Sequence, residues 1–226
     1  MIKTKTKRNI ILLVAIFCCG LMSIFDTVIK PTYAVRSMVK LALFLLLPII
    51  YGVYTRDTKL INLIKPQKNK IKNLLILGIA VYTVIIGAYF VFSSFFDFSA
   101  ITVSLKDRYG ISRENFLLVS LYIALVNSIL EEFFFRGFTF FTLKDVSNRK
   151  FAYIFSSACF AMYHVTIMIG WFTFPLILLA ILALFIGGLI FDRLNEKSGN
   201  IYSSWVVHIC ANIAINTVGL ILFNFI

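Results

Sequence analysis

Charge is scarce in this chain. Of its 226 residues only 14% are Asp, Glu, Lys or Arg, ten residues are acidic and two are histidine. A soluble domain carries about 25% charged residues. Hydrophobic residues reach 60% and the mean hydropathy is +0.93. This balance excludes a soluble globular protein, a disordered tail and a nucleic-acid-binding domain, so no nucleic-acid partner is expected. Lipid must be the solvent for much of the surface. Cysteine is scarce too. Cys18, Cys19, Cys159 and Cys210 all fall inside apolar runs, none with C-x-x-C spacing, which excludes a disulfide framework and a cysteine metal site. Short alternating segments of the membrane-barrel kind are missing. So are an H-E-x-x-H zinc helix, a phosphate-binding glycine loop and any internal repeat. The one G-x-S, Gly110-Ile111-Ser112, sits in a charged loop.

What is present is a series of continuous apolar runs, each long enough to cross a bilayer as a helix. Seven are expected, at about 9–25, 38–54, 74–96, 115–141, 151–170, 173–191 and 201–225. The expected fold is an all-α polytopic transmembrane helical bundle, forming a single integral membrane domain over 1–226. Lys3, Lys5, Lys7 and Arg8 precede the first run, but no small-x-small cleavage site follows, so a retained span is expected. Pro66, in a basic stretch, is expected to separate an amphipathic surface segment from the third span. Of the 22 Lys and Arg, 16 fall at the N-terminus and in the stretches 55–73, 136–150 and 192–200. The alternate set, Lys30, Arg36, Lys40, Lys106, Arg108 and Arg113, has six. The positive-inside rule then puts the N-terminus in the cytoplasm and the basic face against anionic lipid. The expected location is the cell membrane. The compact composition, rich in Lys, Phe and Ile, suggests a bacterial plasma membrane.

Ionisable residues inside a span cost about 2.5–3.5 kcal/mol on insertion scales and are functional candidates by default. Eight of the acids, Asp26 and Asp192 among them, are assigned to span ends or loops, which leaves no intramembrane aspartyl dyad. The exceptions are adjacent, Glu131 and Glu132 in SILEEFFFRGFTFF. Both histidines, His164 and His208, also lie within spans. Counted along helices, Glu131 and His164 lie about 20 Å, and His208 about 15 Å, from the turns on the same membrane face. Ser204, His208, Asn212 and Asn216 recur every four residues and form one helical stripe, expected to face the bundle interior. Asn127 and Glu131 share one helical track and Ser128, Glu132 and Arg136 the next, so Arg136 is expected to neutralise Glu132. Glu131 is then the less compensated acid. Phe160, one turn before His164, can pack on the imidazole. The Phe133–Phe141 run reads as lipid-facing. A cysteine nucleophile at Cys210 is disfavoured, because a residue two past His208 lies on another helix face.

The series E-E-x-x-x-R (Glu131, Glu132, Arg136), F-x-x-x-H (Phe160, His164) and H-x-x-x-N (His208, Asn212), in this order, resembles the CPBP family. That family comprises type II CAAX prenyl endopeptidases and bacteriocin-processing or immunity membrane proteins, also called Abi proteins. The resemblance covers about 115–220 and implies an intramembrane endopeptidase. By position, it implies that Glu131 and His164 activate water, His208 and Asn212 hold the oxyanion, and Arg136 braces Glu132. Amide hydrolysis needs such a base and such donors. Glu131, His164 and His208 would also serve as a three-ligand Zn²⁺ set with an open position, and the sequence leaves metal use open. The implied substrate is a membrane-associated peptide or protein, such as a bacteriocin or a pheromone. A non-catalytic membrane immunity or scaffold protein is the alternative. A proton-moving transporter is a weaker one, lacking a broken-helix pair.

Overall fold

A computed structural model describes residues 3–56, 59–63, 71–94 and 98–226 of the chain. Among the described residues there is no strand. The long helices are α1 (Thr4–Ile29), α2 (Tyr33–Thr55), α3 (Ile71–Phe92), α4 (Ser99–Tyr109), α5 (Arg113–Val146), α6 (Arg149–Met168), α7 (Phe174–Ser198) and α8 (Tyr202–Leu222). All but α4 are long and apolar enough to cross a membrane, which gives the seven spans expected. Pro66 and Lys65, Lys68 and Lys70 around it lie outside the described residues.

Local chemistry sets several helix ends. Asn148 caps α6 by accepting from the Phe151 amide at 2.7 Å. Pro175 sits in the first turn of α7, where its missing N–H costs nothing. Gly110 ends α4 in the left-handed region, at φ 65°, and Ser112 and Asn115 form a capping box that starts α5. The G-x-S tripeptide is therefore the turn between two helices. Helix α4 itself was not foreseen. It is tied down by Arg108, which donates to the carbonyls of Ile169 (2.8 Å) and Asp26 (2.9 Å).

Helix α5 is the axis of the bundle. It packs against α1, α2, α6, α7 and α8, while α3 lies on the outside against α8. This corrects the reading of the phenylalanine run. Phe133, Phe134, Phe135, Phe138 and Phe140 are all buried and only Phe141 is partly exposed. An apolar helix surrounded on every side looks, in sequence, the same as one surrounded by lipid. In a bilayer its rings gain packing rather than release of water. Phe44 of α2 stacks on Phe134 with centroids 4.1 Å apart. Such pairs contribute about 0.5–1.5 kcal/mol beyond area burial. Two stretches of α5, Ile123–Asn127 and Glu132–Phe141, are wound as π-helix. Widened turns of this kind recur at functional sites.

Helices α6 and α7 approach closely at Gly188, where a Cβ would stand 2.9 Å from the Ser157 Cα. One turn on, Asp192 receives hydrogen bonds from Ser156 (3.3 Å) and Ser157 (3.2 Å) of α6. The missing side chain of Gly188 is what lets Asp192 reach them. Gly188→Ala is expected to push the two backbones apart and lower stability by about 1–3 kcal/mol, the usual range for overpacking. A thermal melt in detergent that matches the unsubstituted chain would refute this.

Candidate active site

The site is built on four helices: α5 brings Asn127, Glu131, Glu132 and Arg136, α6 brings His164, α8 brings Ser204, His208 and Asn212, and α2 brings Lys40. The polar stripe of α8 faces α5 along its whole length. Ser204 donates to Glu132, and His208 Nδ1 donates to Glu132 Oε1 at 2.8 Å. Asn212 donates to the Ile123 carbonyl at 3.1 Å, and Asn216 to the Ser120 carbonyl at 2.9 Å. Trp205 reaches Ser128 at 2.9 Å beside it. Asn212 therefore grips the start of a π-helical turn.

The two imidazoles and Glu131 meet. Glu131 Oε2 lies 3.8 Å from His164 Nε2 and 3.6 Å from His208 Nε2. His164 Nδ1 donates to the Phe160 carbonyl at 2.7 Å, and its ring stands edge-on to Phe160 with centroids 4.7 Å apart. A carbonyl and a carboxylate can only accept, so both Nδ1 atoms carry hydrogen. Both Nε2 atoms are thus left facing Glu131. Of the six sequence-nominated residues, Glu131, His164 and His208 meet at this point, Glu132 holds His208, Arg136 lies beside Glu132, and Asn212 sits one turn on from His208; all are buried except His164, which is partly exposed.

The charge pattern departs from expectation at four positions. Glu131 is not the less compensated acid. Lys40 donates to its Oε1 at 2.5 Å and to Asn127 Oδ1 at 2.5 Å, while Asn127 donates to the same Oε1 at 3.0 Å. Lys40 is buried within α2 rather than in an external loop, as is Arg36 one turn earlier. Arg36 pairs with Asp26 through two hydrogen bonds of 2.6 and 3.1 Å and reaches the Tyr163 hydroxyl at 3.2 Å. Asp192 is fully buried inside a span helix and not at a span end, whereas Asp26, also fully buried, sits in the last turn of α1, at the span end expected for it. Helix α7 runs to Ser198, so Asp192 lies more than a turn inside its end.

Arg136 is flanked by two acids. Its Nε lies 3.6 Å from Glu132 and 3.7 Å from Asp192, with no exposure of any of the three side chains. Among the described residues its three guanidinium nitrogens make no hydrogen bond. The plane instead lies over the Phe160 ring, 4.1 Å from the centroid, with Phe191 at 5.2 Å. Arg136 thus balances charge for two carboxylates from between aromatic faces.

Among the described residues, no three His, Cys, Asp or Glu side chains form a group that could hold a metal ion. Glu131, His164 and His208 are the three named for Zn²⁺. The Lys40 ammonium on the other oxygen of Glu131 already supplies the cation that this carboxylate needs, and a dication beside it would be repelled.

Residues 113–214 match the family model described as Type II CAAX prenyl endopeptidase Rce1-like. This stretch is an Rce1-like domain. No curated protein and no solved structure matches the chain. The match supports an intramembrane endopeptidase with a peptide or protein substrate. The Rce1-like stretch contains Glu131, Glu132, Arg136, His164, Asp192, His208 and Asn212, but Lys40 lies 73 positions before its first residue.

Sequence reasoning missed Lys40, Asp192, Asn195 and Tyr163. A signal for Lys40 existed: it lies two residues inside the apolar run 38–54, where a lysine is costly. Asp192 had the i,i+4 spacing from Gly188. Asn195 accepts from the Ser204 amide at 3.0 Å and donates to its hydroxyl at 2.6 Å, and nothing in the sequence marks that pairing.

Proposed function

We propose that the chain cleaves a peptide bond inside the membrane with a water molecule activated by Glu131 and His164. The supporting observation is the convergence of Glu131 Oε2 with both imidazole Nε2 atoms, at 3.8 and 3.6 Å. A water molecule at that point donates one hydrogen to Glu131 and the other to His164. As its oxygen attacks the carbonyl carbon, Glu131 takes the proton. The C–N bond then breaks, and Glu131 returns the proton to the departing amine. His208, carrying hydrogen on both nitrogens, donates Nε2–H to the oxyanion while Glu132 at Nδ1 balances its charge. Asn212 supplies the amide hydrogen not spent on Ile123. Glu132, braced by Arg136, holds the His208 ring in place.

The substrate in this reading is a membrane-associated peptide, such as a bacteriocin, a pheromone or its leader, in a bacterial plasma membrane. Maturation of such a peptide and self-immunity against it are both consistent with the reaction. The N-terminus is assigned to the cytoplasm. With Arg36, Lys40 and Arg136 set aside as buried, the tally of the remaining Lys and Arg becomes 15 against four, which strengthens the bias.

The test uses the full chain in lipid nanodiscs with two quenched-fluorescent probes, a farnesylated CAAX peptide and an unprenylated bacteriocin leader peptide. Cleavage of either supports the reading. Failure with both, together with immunity in the host that survives loss of Glu131, would favour the scaffold alternative. A chelator such as 1,10-phenanthroline is expected to leave cleavage unchanged, because no step needs a metal. Loss of cleavage restored by added Zn²⁺ would overturn the water-only mechanism.

A further inference from the structure

We infer that Lys40 is a positioning residue for Glu131, completing from α2 a catalytic site whose other parts lie in the Rce1-like stretch. The inference rests on the reading of Glu131 as the base. Lys40 is about 1% exposed and sits 2.5 Å from Glu131 Oε1, with Asn127 bridging the two. Its ammonium also faces two rings, Phe44 at 5.3 Å and Tyr163 at 5.0 Å. The charged or titratable groups around Glu131 are Cys19 from α1, Tyr33 and Lys40 from α2, Glu132 from its own helix, Tyr163 and His164 from α6, and His208 from α8. Of these only Lys40 is a lysine or arginine in hydrogen-bond contact with Glu131. Two consequences follow. The ammonium keeps Glu131 a carboxylate in a setting that otherwise disfavours charge. It also occupies Oε1, so Oε2 is the oxygen left facing the imidazoles. Tyr163 joins this contact to the Arg36–Asp26 pair, so α2 is anchored one turn before Lys40 as well as at Lys40 itself.

The test separates charge control from fold. Infrared difference spectra of the full chain in nanodiscs at neutral pH read the carbonyl band of a protonated carboxyl. Lys40→Met is expected to gain such a band, and a further Glu131→Gln change is expected to remove it. Lys40→Arg, which keeps the charge, should not gain it. A folded Lys40→Met chain without the band overturns the inference. If Lys40→Met does not fold, Lys40→Gln gives the same comparison, since glutamine keeps a donor but no charge. On a cleaved probe peptide, Lys40→Met should lower kcat about a hundredfold with KM little changed, the size expected when a reacting group is misplaced. Lys40→Arg should recover part of that loss. An unchanged kcat in Lys40→Met also overturns the inference. If the parent chain cleaves neither probe, the function reading fails, while the infrared comparison still decides whether Lys40 sets the charge of Glu131.

Discussion

Glu131→Gln is expected to abolish cleavage, a loss of about 10²–10⁴-fold for removal of a general base, while leaving the helices in place. The reason lies in the contacts of the two carboxylate oxygens. Oε1 accepts from Lys40 and Asn127, and an amide oxygen can still accept from both, although its bond to the ammonium loses the charge assistance. Oε2 faces the imidazoles, and an amide nitrogen there cannot take a proton from water. The substitution thus removes the chemistry and keeps the shape. Glu131→Ala is the poorer experiment. It strands the Lys40 ammonium without a partner in the core, at about 3–5 kcal/mol, and loss of folded protein would then pass for loss of catalysis. Probe cleavage is measured per amount of monodisperse protein after gel filtration. Cleavage by Glu131→Gln within a few-fold of the parent rate would remove Glu131 from the mechanism. Persistence of a host phenotype in this variant, at normal protein level, would take catalysis out of that phenotype.

How much of this site could be read from residues alone depends on where each partner sits in the chain. The i,i+4 tracks of α5 and α8 are local, so spacing was enough to place Glu132 beside Arg136, Phe160 beside His164, and the α8 stripe on one face. The meeting of Glu131 with both imidazoles was legible from equal depth, because three helices carried their rare ionisable groups to one level. Pairings between distant helices were not legible in this way. Lys40 and Glu131 are 91 residues apart, and a lysine near the end of an apolar run looks, in sequence, like one in the adjoining loop. The positive-inside rule takes such a lysine to be outside the span. Asp192 was lost because an apolar run ends before its helix does. Once Arg136 is available, α7 continues for more than a turn past the last hydrophobic residue of the run, and the acid is carried inside. The phenylalanines mark a different limit. Hydrophobicity reports exclusion from water and does not distinguish a lipid neighbour from a protein one. The π-helical turns of α5 have no pattern in the sequence at all.

The largest effect on stability is expected at Arg136. Arg136→Met keeps the length and the contact with Phe160 but deletes the charge between Glu132 and Asp192. Two buried carboxylates then lose their common cation, at a cost of about 3–5 kcal/mol. Thermal unfolding in detergent should show this as a sharp drop in midpoint. Cleavage should fall as well, since Glu132 holds the His208 ring through Nδ1. Arg136→Lys keeps the charge but gives up the flat face that lies on Phe160, so an intermediate loss is expected. The informative comparison is the double substitution. In Asp192→Asn the arginine still has Glu132, and the amide can still accept from Ser156 or Ser157, so that change alone should cost little. Joined to Arg136→Met, it leaves one uncompensated carboxylate instead of two. The double variant should therefore unfold at a higher temperature than Arg136→Met alone, a departure from additivity with a definite sign. If the two losses simply add, Asp192 and Arg136 are not coupled. The arginine would then owe its place in the core to Glu132 and the aromatic rings alone.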